Sequence, residues 1–333
     1  MIEQIMLFTV NRLGSLSLME KFKVLNAYGT PEKFGSLSRF ELEWVVGRKL
    51  RIRNFNPRDL LEQGIYDCQK TDSLNISFCC YSSPDYPGIL KNIYDPPFML
   101  FWKGTLPPSE QDGLAVVGTR KPTLNADRGA FCLGLDSAAR EIPLLSGLAS
   151  GIDGSAHKGA LEGGGKTWAV LGTGCDRVYP RSHRRLAADI LNRGGGLISE
   201  FVPGTGPARY NFPKRNRIIS GLSRSVVIVQ APSRSGALYT ADFALDQGRD
   251  VYVHESGLYG RKSGGTAALA EQGAPVIRAL RDLYPGSERA VLSMNESYAA
   301  ASGTTADAAR QASRMMREEI KGNLHFYKGR AQY

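Results

Sequence analysis

From residue 113 onward, short apolar runs recur along the chain and alternate with helix-length segments. The runs are Leu114–Val117, Ile142–Leu145, Trp168–Leu171, Leu197–Ser199, Val226–Val229, Val251–Val253 and the shorter Pro275–Ile277. Each is apolar throughout rather than alternating, the pattern of a strand covered on both faces. Strands alternating with helices predict an α/β fold with a doubly wound, mostly parallel sheet over 113–285. Ahead of it, Leu7, Val10, Leu13, Leu16 and Leu18, then Phe22, Val24 and Leu25, keep near-helical spacing. Gly29 and Pro31 interrupt that set, and a second follows at Phe40, Leu42 and Val45, so residues 1–75 read as a small helical module. Between the two, 76–112 reads as a connector. It holds a short strand in ISFCCY, followed by prolines that force extended or turn geometry. Residues 286–333 turn Ala/Ser-rich and read as a linker with a possible terminal helix over roughly 305–320.

Charge changes this picture more than composition does. The 333 residues carry 42 Lys+Arg against 32 Asp+Glu, a formal net charge of +10, which favours a polyanionic partner. Five cysteines, an odd number without a C-x-x-C pair or a suitably spaced histidine, predict free thiols in a reducing compartment and no metal site. The first residues lack a signal-peptide pattern and no apolar run approaches a membrane span, so the expected location is the cytoplasm, without membrane contact.

In an open α/β sheet the ligand lies beyond the carboxyl ends of the strands. Here those ends empty into Gly118-Thr119-Arg120-Lys121-Pro122, Ser146-Gly147-Leu148-Ala149-Ser150-Gly151-Ile152-Asp153, Gly172-Thr173-Gly174-Cys175-Asp176, Glu200 with the stretch to Phe212-Pro213-Lys214-Arg215-Asn216-Arg217, and Ser233-Arg234-Ser235-Gly236-Ala237-Leu238-Tyr239-Thr240. Glycines admit backbone N–H groups to an anion, helix N-termini add partial positive charge, and arginine offers a planar fork to phosphate oxygens. Several such loops together point to a phosphate-rich ligand.

Two nucleotide motifs fail on inspection. Gly172-Thr173-Gly174 begins a dinucleotide fingerprint, but Arg177 stands where the third glycine belongs, and Asn192 stands where an acid is needed. Gly165-Lys166-Thr167 resembles the end of a phosphate-binding loop, but Ala160 replaces its first glycine and the triplet precedes a strand instead of following one. His157, His183, His254 and His325 form neither a triad nor a metal spacing and read as surface or capping residues. Asp153 reads as a helix N-cap and Glu200 as a residue that orients an arginine. No cofactor is expected.

Six blocks occur in order: VVGTRKPT (116–123), SGLASGIDGSAHKGAL (146–161), AVLGTGCDRVYP (169–180), LISEF (197–201), NFPKRNRIISGLS (211–223) and SGALYTADFALDQGRDVY (235–252). Together with DYP (85–87) and DPPFMLFWKG (95–104), they resemble the core of the DprA/Smf family over roughly 85–280. The resemblance implies a Rossmann-like DNA-binding domain over 113–285 behind a SAM-like helical module. It implies a homodimer that binds single-stranded DNA in natural transformation, protects it, and helps load the RecA recombinase, with no enzymatic activity. Carried over by position, the DNA-facing residues are Arg120, Lys121, Ser146, Gly147, Phe212, Lys214, Arg215, Asn216, Arg217, Arg234, Ser235, Gly236 and Thr240.

Phe212 and Tyr179 admit two roles, stacking on a base or packing in the core. Asn216 and Arg217 likewise either face DNA or hold loops in shape. The chain departs from the family pattern at HESGLYG, where a V-P-G turn is usual, and in SGGTAALAEQGAPVI, which is only loosely similar to its last block. Residues 286–333 do not resemble the winged helix of some members. A rival on the same fold is a phosphoribohydrolase-like enzyme, with Asp242 as its residual acid, or a nucleotide sensor. The family of hydrolases places a glutamate after its glycine loop, and here Ala241 and Asp242 stand there.

Overall fold

The computed structural model describes residues 2–52, 54–109 and 112–284, together with the backbone of 325–327 and 330–332. Five helices open the chain: α1 (Ile2–Asn11), α2 (Leu18–Tyr28), α3 (Pro31–Gly35), α4 (Arg39–Val46) and α5 (Pro57–Ser73). Their starts are written locally. Ser17 with Glu20, and Ser38 with Glu41, close capping boxes on α2 and α4, and Asn56 caps α5 just ahead of Pro57.

The segment read as a connector contributes more than a link. It holds β1 (Ser77–Cys80), α6 (Gly88–Lys91) and β2 (Met99–Gly104). Both strands join the main sheet: β1 pairs antiparallel with β2. The reason is burial, since Met99, Leu100 and Phe101 are at most 1% exposed. The same strands seat the helical module, whose core residues Phe8, Val24, Phe34 and Leu42 form one cluster with Phe98, Met99 and Phe101. Phe8 meets Phe78 edge-on at 4.9 Å and Phe101 at 5.7 Å.

The rest alternates as the apolar runs predict. β3 (Leu114–Val117), α7 (Leu124–Ala139), β4 (Leu144–Ser146), α8 (Ile152–Glu162), β5 (Thr167–Val170), α9 (Arg184–Asn192) and β6 (Gly196–Ser199) are followed by α10 (Asn211–Gly221), β7 (Ser225–Ile228), α11 (Gly236–Asp246), β8 (Asp250–His254), α12 (Gly264–Glu271) and β9 (Val276–Ile277). The nine-stranded sheet has the order β1-β2-β6-β5-β4-β3-β7-β8-β9. β3 through β9 are mutually parallel, and β2 runs antiparallel to β6. From β3 the chain winds outward through β4 and β5 to β6, then crosses back by α10 to start again at β7 on the other side of β3. The switch point therefore lies between β3 and β7, where a doubly wound sheet opens a crevice at its carboxyl edge. Residues of α7 and α8 pack with Leu114, Val116 and Val227 on one face, and those of α10 and α11 with Ala115, Val226 and Ile228 on the other.

Among the described residues no helix is long and apolar enough to cross a membrane. The terminal helix expected over roughly 305–320 lies outside the described residues; beyond it, β10 (His325–Tyr327) and β11 (Arg330–Gln332) pair antiparallel.

Candidate nucleic-acid interface

The crevice at the switch point is a cleft of about 1240 Å³. Its lining draws on every loop at the carboxyl edge near β3 and β7. Arg120 and Lys121 follow β3, Ala149 and Asp153 follow β4, and Arg209, Phe212, Arg215 and Asn216 come from α10 and its approach. Arg234, Ser235, Gly236, Tyr239 and Thr240 follow β7, and Lys262 precedes α12. Six cations thus face one carboxylate, Asp153. Arg120, Lys121, Arg209, Arg234 and Lys262 are exposed, and none has a carboxylate partner among the described residues. Lys262 instead donates to the Lys121 carbonyl at 2.8 Å, which draws two cations together at one wall.

An aromatic shelf crosses the cleft. Tyr179, 43% exposed, lies against Phe212 with ring centroids 5.5 Å apart, and the Arg120 guanidinium sits over Phe212 at 5.4 Å. Phe212 is half-buried, so it packs and lines the cleft at once. Tyr239, 55% exposed, also lines the cleft. Tyr179 also borders a second recess of about 710 Å³ that contains Lys103, Arg177, Arg181 and Arg184, so basic surface continues past the tyrosine. The N-terminus of α11 opens into the main cleft, with Ser235 accepting from the Ala237 N–H at 3.3 Å as its cap.

Beneath these exposed groups lies a buried frame. Asp153 accepts from the Gly147 N–H at 3.1 Å and the Ala149 N–H at 3.4 Å, so it ties back the preceding loop. The N-cap position expected of it belongs to Gly151, at φ +77. A Cβ there would meet the Thr119 carbonyl at 2.5 Å and the Arg120 carbonyl carbon at 2.8 Å, so the close packing of the β3 and β4 loops needs glycine. Arg215 donates to the carbonyls of Gly147 (2.8 Å) and Val170, bracing the ends of β4 and β5. Burial raises the Asp153 pKa, opposed chiefly by the Arg215 charge, and lowers that of Arg215 to about 10, opposed by Asp153.

The thirteen residues expected to face DNA therefore divide. Arg120, Lys121, Phe212, Arg234, Gly236 and Asn216 line the cleft with exposed or half-buried side chains or backbone. Asn216 also bridges to α11, donating to the Gly236 carbonyl at 3.1 Å. Ser235 lines the cleft as a cap, and Thr240 and Arg215 line it from buried positions. Ser146 is fully buried, with its hydroxyl donated to the Val116 carbonyl at 2.6 Å, and both peptide groups of Gly147 are taken up internally.

Lys214 and Arg217 turn to the other side of α10. Arg217 is buried and bonded to both oxygens of Glu200 (3.2 and 2.9 Å) and to Asp95 at 3.0 Å; Lys214 reaches Glu200 at 3.0 Å. Glu200 orients an arginine, as the sequence suggests. His157 is not on the surface. It is fully buried, and Thr167 gives its own proton to the Leu144 carbonyl, so His157 donates from Nδ1 to Thr167 at 2.7 Å. His183 is half-buried and donates to the Leu148 carbonyl at 3.0 Å. Asp242, the acid assigned to the hydrolase rival, is exposed and does not line the cleft. Sequence reasoning missed Arg209 and Lys262, which sit outside the motif blocks, and the cations beyond Tyr179.

A Rossmann-like sheet that opens a cationic, aromatic-lined cleft at its switch point is the class of fold and site that the chain presents. Residues 77–286 match the family described as DNA recombination-mediator protein A, and the chain belongs to that family, as the DprA/Smf resemblance implies. It is similar to Protein Smf of Escherichia coli, with 43% identity over 217 residues that make up 62% of this chain and 58% of that one. The chain thus spans under two thirds of that relative's length. Among solved structures it is similar to DNA processing protein A of Streptococcus pneumoniae, with TM-score 0.68 and 31% identity over 84% of this chain and 97% of that one. It is also similar to DNA processing protein A of Helicobacter pylori, whose structure is described as showing a single-stranded DNA binding mode, with TM-score 0.54 and 25% identity over 62% of this chain and 90% of that one.

Proposed function

We propose that this chain binds single-stranded DNA along the switch-point cleft and acts as a recombination mediator during DNA uptake, without chemistry on the strand. One observation carries the reading: five exposed cations without carboxylate partners surround an aromatic shelf. The cations suit consecutive phosphates, and Tyr179, Phe212 and Tyr239 offer faces on which unpaired bases stack, each worth about 1–3 kcal/mol. A duplex hides its base faces and gains only the phosphate contacts, so the shelf favours the single strand. The basic recess beyond Tyr179 extends the track.

The homodimer and the handover of DNA to a RecA-type recombinase belong to this proposal through the family. The small edge strand β9, with Val276 46% exposed, supports pairing of two copies at that edge. The test is fluorescence anisotropy of the full chain with labelled single- and double-stranded oligonucleotides at matched ionic strength. Preference for the single strand is the expected result. Equal binding to both forms, or none, would reject the shelf as a base-stacking surface.

A further inference from the structure

A separate recess of about 310 Å³ opens at the junction between the helical module and the sheet. Arg12 and Lys21 line it from the module; Asp95, Phe98, Glu200, Lys214 and Arg217 line it from the sheet side. The charges on its wall are not equivalent. Arg12 grips Asp67 with two bonds of 2.6 and 2.7 Å. Arg217 and Lys214 share Glu200, and Arg217 also holds Asp95. Lys21 has no carboxylate partner among the described residues.

Yet Lys21 is only 8% exposed. Its Nζ donates one long bond, 3.4 Å, to the Asn11 carbonyl and stands 5.0 Å from the centre of the Phe98 ring. An ammonium has three donors, and a buried one without a counter-charge is costly. Burial lowers the Lys21 pKa to about 8, helped by the Lys214 charge and opposed by Glu200 and Asp95. Near neutral pH the group is therefore still largely protonated, and it is poised to gain from an anion.

We propose that this recess binds a small free oxyanion of the phosphate, sulfate or short-carboxylate class, with the Lys21 ammonium as its anchor. Lys214, half-exposed at the same wall, supplies a second cation. Leu16, Leu18 and Phe98 give an apolar floor suited to the body of a short carboxylate. An anion held between Lys21 on α2 and Lys214 on α10 ties the helical module to the sheet, so occupancy stabilises their docking.

Sulfate is the probe, because it does not titrate in the working range. Thermal unfolding of the full chain is followed while sulfate replaces chloride at constant ionic strength. At pH 7 a saturable rise in melting temperature is expected, and it fades as pH rises through about 8, where Lys21 loses its proton. Arg12, Asp95, Glu200, Lys214 and Arg217, which also face the recess, are engaged in ion pairs or shared among them. Lys21→Met keeps the stem, removes the charge, and should weaken the saturable component about tenfold or more while the sulfate-free melting temperature holds or rises. Arg120→Glu keeps the response, which separates this recess from the DNA cleft, and Lys21→Met keeps DNA binding. A wild-type response that is absent, that persists unchanged at pH 9.5, or that survives in Lys21→Met would overturn the proposal.

Discussion

Arg215 and Arg217 stand two positions apart on one helix and do unrelated work. Arg215 braces the carbonyls behind the cleft, and Arg217 holds Glu200 and Asp95 at the junction with the helical module. Removing Arg217 leaves Glu200, itself 7% exposed, short of its main partner. Arg217→Ala should therefore cost about 3 kcal/mol in urea unfolding, whereas Arg120→Ala, on the surface, should change stability by less than about 0.5 kcal/mol. Equal effects of the two would refute the division between frame and surface. His157 makes a second prediction at this scale. Burial drives its pKa down to about 3, so the unfolded chain takes up a proton that the folded chain refuses. Its contribution is complete above about pH 6.5 and is lost as pH falls, by about 3 kcal/mol at pH 4. The urea-unfolding free energy of His157→Leu should fall less steeply over that range than the wild type's, and parallel curves would contradict the assignment.

At the scale of elements, the loops matter more than the strands. Gly151 lets the β4 loop press against the one that carries Arg120. Gly151→Ala should cost about 1–3 kcal/mol and also weaken single-strand binding, because the Arg120 loop must move. Gly47→Ala, at φ +82 in the left-handed helical region with open space around it, carries a milder backbone strain in the helical module and should leave binding intact. DNA affinity that fell equally in both would mean the loss is global. The sheet was legible because its strands are short apolar runs between helix-length segments. β1 was legible as the short strand in ISFCCY, but β2 was not, because Pro96 and Pro97 ahead of it look like a linker and only its tertiary partner β6 reveals it. The split of the FPKRNR block was legible in principle. At about 100° per residue, Phe212, Arg215 and Asn216 share one side of a helix while Lys214 and Arg217 share the other. Motif matching treats the block as one unit and loses that register. Arg209 carries no such signal, since its position depends on the loop that enters α10. The burial of Ser146 and the internal bonding of Gly147 depend on neighbours far away in sequence, Val116 and Arg215, and no local pattern announces them.

At the scale of the whole molecule, the surplus of positive charge is concentrated where the fold opens its crevice. The helical module and β1–β2 extend the far edge of the sheet, while the cleft lies between the two windings around β3 and β7. Among the described residues the cleft gathers five exposed cations without carboxylate partners, whereas most charges of the frame and the junction are paired, so the cleft is where a strand's phosphates chiefly replace counterions. If Arg120, Lys121, Arg209, Arg234 and Lys262 each meet a phosphate, the logarithm of the affinity should fall against the logarithm of salt with a slope of about −3.5. The most direct test compares this salt series for the wild type and for the double variant Arg120→Glu, Arg234→Glu, with thermal unfolding as a check on the fold. The account predicts an unchanged melting temperature, strongly reduced affinity and a slope shallower by about 1.4, two contacts' worth. A double variant that binds the single strand as tightly as the wild type, with the same slope, would contradict it.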